Sequence, residues 1–132
     1  MNRIIWSWFL GSLVILAAIT VVSIWGMYDN GFLFEYYWIS ESEHLISGFA
    51  LAMFYSSLVR ASAKGIFVWT AVWGLIWEWF EYILSHSPFL LAILNNILLV
   101  DNYLTSWPDT ILDILLNFAG AILFILIIKK RG

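Results

Sequence analysis

The chain of 132 residues has no cysteine, only two prolines, and charged residues amount to 11%. Without cysteine there is no disulfide framework, no thiolate nucleophile and no thiolate metal ligand. A soluble domain carries roughly 25% charged residues and about 45–50% apolar ones. This chain is far below the first figure and, at 63% hydrophobic, far above the second. Lys and Arg number 6 against 9 Asp and Glu, a net charge of −3. That balance excludes a nucleic-acid-binding surface. Phosphate-loop, zinc-protease and nucleophile-elbow motifs are absent from the sequence as well.

The chain does contain long apolar runs. They predict an all-α, polytopic membrane helix bundle in a single domain over 1–132, with four transmembrane helices and one short interfacial or re-entrant helix. The expected spans are about 4–27, 39–59, 66–84 and 109–128, and the short helix is about 88–100. The first run, Ile4–Met27, exceeds the core of a secretory signal and no small-x-small cleavage site follows it, so it is expected to be retained. Pro88–Val100 is too short to cross comfortably, and Asn95-Asn96 interrupts it.

The basic residues sort along the chain. Arg3 precedes the first run, Arg60 and Lys64 fall between the second and third, and Lys129, Lys130 and Arg131 end the last. Four crossings place all of them on one side, which the positive-inside rule makes cytoplasmic together with both termini. Asp29, Glu35, Glu41, Glu43 and Asp101 fall on the other side.

Six polar residues stand inside or at the edge of apolar runs: His44, Glu78, Glu81, Asp109, Asp113 and Asn117. Ionisable groups in such segments are costly and mark sites by default. Asp109, Asp113, Asn117 and Gly120 form one helical stripe, Glu78 and Glu81 share a face, and His44, Gly48, Ala52 and Tyr55 form a third stripe. Brought together, they form an outward-facing pocket of carboxylates, an imidazole and an amide. Three readings fit this pocket. One divalent metal ion (Zn, Mg or Mn) held by His44, Glu78, Glu81, Asp109 and Asp113 compensates the acids. Alternatively the acids share protons without a metal, or the residues cap and glue helices. Under the first reading Glu78, Glu81 and Asp113 are the catalytic candidates, and His44, Asn117 and Trp77 the substrate-binding ones.

The run His44-Leu-Ile-Ser-Gly48-Phe, the pair Glu78-Trp-Phe-Glu81, and Trp107-Pro-Asp109-Thr-Ile-Leu-Asp113-Ile-Leu-Leu-Asn117-Phe-Ala-Gly120 resemble the VanZ-like group of small prokaryotic membrane proteins, most closely its YjdF-type members. The resemblance covers roughly 41–121 and implies that these residues share a site in a prokaryotic plasma membrane. The expected function is a metal-dependent enzyme or binder acting on a lipid or lipid-linked substrate, with membrane lipids as partners. The alternatives are a small accessory subunit among other membrane protein subunits, and a proton or cation transporter.

Overall fold

A computed structural model describes residues 5–28, 37–59, 61–98 and 107–131. Five helices account for nearly all of them: α1 (Trp6–Tyr28), α2 (Tyr37–Leu58), α3 (Ala63–His86), α4 (Pro88–Leu98) and α5 (Trp107–Arg131). Arg3, Asp29, Glu35, Arg60 and Asp101, and the end of the expected short helix at 99–100, lie outside the described residues.

Local chemistry sets several boundaries. Ser62 is extended, and its hydroxyl accepts the Gly65 N–H at 3.1 Å, capping α3. At the other end Ser87 serves two helices. Its N–H donates to the Ile83 carbonyl at 3.0 Å, and its hydroxyl accepts the Leu90 N–H at 3.4 Å. Pro88 follows at the first position of α4, where a missing N–H costs nothing. The break between α3 and α4 is thus a single extended residue before a proline.

The expectation of four transmembrane helices is corrected by the helices themselves. Only two contain a stretch long and apolar enough to cross a membrane, Trp6–Ser23 in α1 and Trp107–Ile128 in α5. α2 has the length but is diluted by Glu41, Glu43, His44 and the serines at 40, 42, 47, 56 and 57. In α3, Lys64, Glu78, Glu81 and His86 have the same effect, and its four tryptophans carry an N–H that offsets part of their apolar area. Helix length came from the run as a whole, whereas apolarity was lost residue by residue.

α2 and α5 share the most extensive contact, with α1 packed on α2, and α3 on α5 and α2. α2 and α5 run parallel: His44 lies beside Asp113 near their starts, and Gly48 lies beside Asn117 one turn on. α1 is antiparallel to α2, as the Ile5 N–H donates to the Ser57 carbonyl at 3.1 Å. The crossing depends on two glycines. A Cβ on Gly48 would run into the backbone carbonyl of Asn117, and one on Gly120 into the Leu45 carbonyl and the Phe49 nitrogen. The obstacle at both is backbone, which cannot swing aside.

Beyond this crossing the packing is mainly apolar, and the buried Ser12, Ser57 and Thr70 hydroxyls each donate to a carbonyl of their own helix. Ala52, Ile66, Ala121, Phe124 and Ile125 form the buried core. Trp8 and Phe49 meet Phe124 edge-on, with centroids 5.5 and 5.4 Å away, a favoured aromatic geometry. The polar residues gather at the opposite end, near the starts of α2 and α5.

Candidate metal centre

Three helices supply the centre. α2 contributes His44 from its second turn, α5 contributes Asp113 and Asn117 from one stripe, and antiparallel α3 contributes Glu78 from its later half. Gly74, one turn before Glu78, faces the Asn117 side chain, and a Cβ there would stand in ordinary contact at 3.7 Å from the Asn117 Cβ. Gly48 and Gly120 at the crossing bring the polar residues within reach.

His44 is the hub. Its Nε2 lies 3.3 Å from Asp113 Oδ1, and its Nδ1 lies 3.8 Å from Glu78 Oε1 and 3.4 Å from Asn117 Nδ2. The Asn117 amide also donates to the Asp113 carbonyl at 3.2 Å, which fixes its place over the imidazole. Glu78, Asp113 and Asn117 are 5%, 4% and 3% exposed, so this is interior.

The interior is poorly satisfied. Both Glu78 oxygens and Asp113 Oδ1 are buried with no hydrogen-bond partner. The Thr110 side chain lies toward Glu78 without closing a bond of normal geometry. Leaving buried acceptors without partners costs about 1–3 kcal/mol each, and more if they are charged. Packing alone does not call for this arrangement.

A buried His/Glu/Asp cluster able to coordinate a metal ion is present. One ligand atom from each of His44, Glu78 and Asp113 lies within 4.8 Å of the other two. Ligands about 2.1 Å from a shared cation stand roughly 3.0–3.4 Å apart when adjacent. The 3.3 Å between His44 Nε2 and Asp113 Oδ1 is already at that spacing, whereas Glu78 Oε1 stands nearest the other ring nitrogen, Nδ1, at 3.8 Å, so its side chain has to turn toward the Nε2 edge to join them. An imidazole with two carboxylates suits zinc, manganese or ferrous iron.

The other sequence candidates are arranged around this triad. Asp109, partly buried one turn before Asp113, joins a second set of converging ligands with Asp113 and Glu41. Glu81, one turn beyond Glu78, is partly buried and belongs to neither set. Trp77 is 51% exposed, and its ring is 5.9 Å from that of Phe80.

Glu41 is the residue that sequence reasoning missed. It was counted with the outer-side acids at the start of the expected span 39–59 and not among the site candidates, yet it lies in α2 one turn before His44 with both carboxylate oxygens buried. The signal was available: Glu41 and His44 are at i, i+3, the spacing used to pair Glu78 with Glu81. Glu43, counted with the same outer-side acids, accepts a hydrogen bond from Ser23 of α1 at 2.8 Å. Comparison with family models, curated proteins and solved structures gives no match.

Proposed function

We propose that this chain is a membrane-associated, metal-dependent hydrolase whose substrate is a phosphoester in the headgroup of a lipid or lipid-linked molecule. The observation that carries the reading is the buried triad of His44, Glu78 and Asp113, with carboxylate oxygens that lack protein donors. His44, Glu78 and Asp113 would hold the cation. A cation so held supplies Lewis acidity and a more acidic water. Glu81, outside the ligand set and less buried, suits proton transfer. In the hydrolysis, a water oxygen bonds to phosphorus and the ester P–O bond breaks. The water proton passes through Glu81 to the departing alkoxide.

The membrane side of the reading rests on α1 and α5. These two apolar helices are antiparallel, and Trp8 of α1 packs on Phe124 of α5. The start of α1 and the end of α5 therefore lie together, opposite the acidic cluster. By the positive-inside rule both termini are cytoplasmic and the cluster faces outward. An outer-leaflet headgroup is then the substrate within reach, and the VanZ-like resemblance fits the same membrane setting. Conduction fits less well, because no ionisable side chain is buried beyond Asn117 among the described residues: the buried groups there are Ala52, Ile66, Ala121, Phe124 and Ile125, with the hydroxyls of Ser12, Ser57 and Thr70 turned to their own helices.

One observation supports a second reading, that of an accessory subunit. The outer face of α3 is broadly apolar, with Val72, Trp73, Leu75, Ile76, Trp79 and Phe80 all exposed. A partner subunit would cover such a face, as would lipid.

The experiment is elemental analysis of the full chain purified in mild detergent, with thermal unfolding before and after chelation. A ligand held only by the folded state stabilises it by about 2.7 kcal/mol at a hundredfold excess over Kd. Bound metal, a chelator-induced fall in Tm, and loss of both in Glu78→Gln support the reading. Release of headgroup phosphate from phospholipid micelles should then require the metal and Glu78. A metal-free protein in which Glu78→Gln is neutral or stabilising overturns it in favour of a protonated acid cluster, since the amide mimics the neutral acid.

A further inference from the structure

The acids at the starts of α2 and α5 exceed what one ion balances. One ligand oxygen from each of Glu41, Asp109 and Asp113 lies within 4.8 Å of the other two, as the His44, Glu78 and Asp113 atoms do. Asp113 belongs to both sets. We propose that the chain binds two divalent cations bridged by Asp113, the first held by His44 and Glu78 and the second by Glu41 and Asp109. The inference builds on the reading of the first triad as a metal centre.

The second set is more than a group of acids at a helix start. Asp113 is 4% exposed, and its Oδ1 is buried without a hydrogen-bond partner. Both oxygens of Glu41 are buried and lack partners too, although Glu41 sits among further acids. A carboxylate beside two others, with two buried oxygens that have no hydrogen-bond partner among the described residues, calls for a cation or a proton. The two sets together hold four carboxylates and one imidazole. With the acids ionised and the imidazole neutral, one divalent ion leaves a net charge of about −2 in the interior, whereas two bring it to about zero.

Among the described residues no Lys or Arg helix position is near the cluster: Lys64 is in the first turn of α3 and Lys129 in the last turns of α5, at the far ends of those helices. From Asp113 to Lys129 along α5 is roughly 24 Å at 1.5 Å per residue. The two sites also differ in chemistry. The first offers nitrogen and oxygen, and the second only oxygen, the preference of magnesium, calcium or manganese. A carboxylate-bridged pair about 3.5–4 Å apart is the arrangement that clamps both the entering and leaving oxygens of a phosphoester.

Manganese accepts both ligand sets and is visible by paramagnetic resonance, so Mn²⁺ is the probe. Full-length protein in detergent, stripped by chelator and reloaded with Mn²⁺, should hold two ions per chain and show the broadened spectrum of an exchange-coupled pair. Glu41→Gln and Asp109→Asn should each reduce this to one ion with an isolated six-line spectrum, and Asp113→Asn should lose the coupling altogether. One ion per parent chain, unchanged by Glu41→Gln and Asp109→Asn, overturns the second site and leaves the first intact. Two ions without coupling overturn the Asp113 bridge. No bound Mn²⁺ in the parent overturns the inference and the metal-centre reading together. The parent measurement needs no variant to fold, so the result stands even if one substitution unfolds the chain.

Discussion

The α2–α5 seam has two halves built on the same helices. Past Gly120 it is a closed apolar core in which Phe124 is 3% exposed and touched edge-on by two rings. Before Gly48 it holds equally buried acids, and oxygens of Glu41, Glu78 and Asp113 there have no hydrogen-bond partner. One half stabilises the bundle, and the other spends that stability to hold charged ligands in place. The close crossing serves both: it seals the core and brings His44 to Asp113. The comparison suggests substitutions that should separate packing from ligand binding.

The largest effect is expected at the crossing itself. Gly120→Val places side-chain atoms where the Leu45 carbonyl and Phe49 nitrogen stand, and Gly48→Ala does the same at Asn117. Overpacking ordinarily costs about 1–3 kcal/mol. With backbone as the obstacle, the loss should exceed that range and abolish both folding and metal binding. A Gly120→Val protein with normal Tm in detergent would mean that the two helices do not meet as described.

Next comes the apolar half alone. Phe124→Ala should cost about 3–5 kcal/mol in thermal or denaturant unfolding, the usual range for a buried phenylalanine. Below the melting point the folded fraction should still bind metal with the parent's stoichiometry, because Phe124 touches no ligand. Loss of metal without loss of stability would show that the two halves are not separable.

These expectations also indicate what the sequence could reveal. Five helices were legible because run length and capping residues are local; Ser62, Ser87 and Pro88 mark their own boundaries. The number of crossings was not, because an interrupted apolar run keeps its length while Glu, His and Ser remove its hydropathy. His44, Glu78 and Asp113 stood out as ionisable groups in apolar surroundings. Glu41 was missed because it lies among other polar residues at the end of the expected span, where a solvated helix start is the ordinary reading. Only the convergence of α2 with α5 distinguishes it from Ser40 or Ser42.

The polar half should respond with a change of sign. In metal-loaded protein, Glu78→Gln is expected to lower stability by about 1–3 kcal/mol, as the bound ion's contribution is lost. In chelator-treated protein the same substitution should be neutral or mildly stabilising, since an amide removes a like charge from a buried cluster. Thermal unfolding of parent and variant, each with and without chelator, gives all four values. An equal loss in both conditions would assign Glu78 to packing, alongside Phe124.

The smallest effect is expected on the outer face of α3, where Trp79 is 66% exposed. With two thirds of its surface open in the folded chain, such a side chain changes its surroundings little on folding, so little of the usual hydrophobic gain is at stake. Trp79→Ala should therefore change stability by less than about 0.5 kcal/mol, as surface substitutions generally do. Metal stoichiometry should be unchanged, since Trp79 faces away from the ligands with most of its surface open. A larger loss would mean that another protein covers this face. The check is size-exclusion chromatography of parent and Trp79→Ala in the same detergent. A co-eluting subunit present with the parent and absent with the variant would carry the accessory reading. Elution of both as the same species, with equal Tm, leaves the outer face of α3 to lipid and the seam as the source of stability.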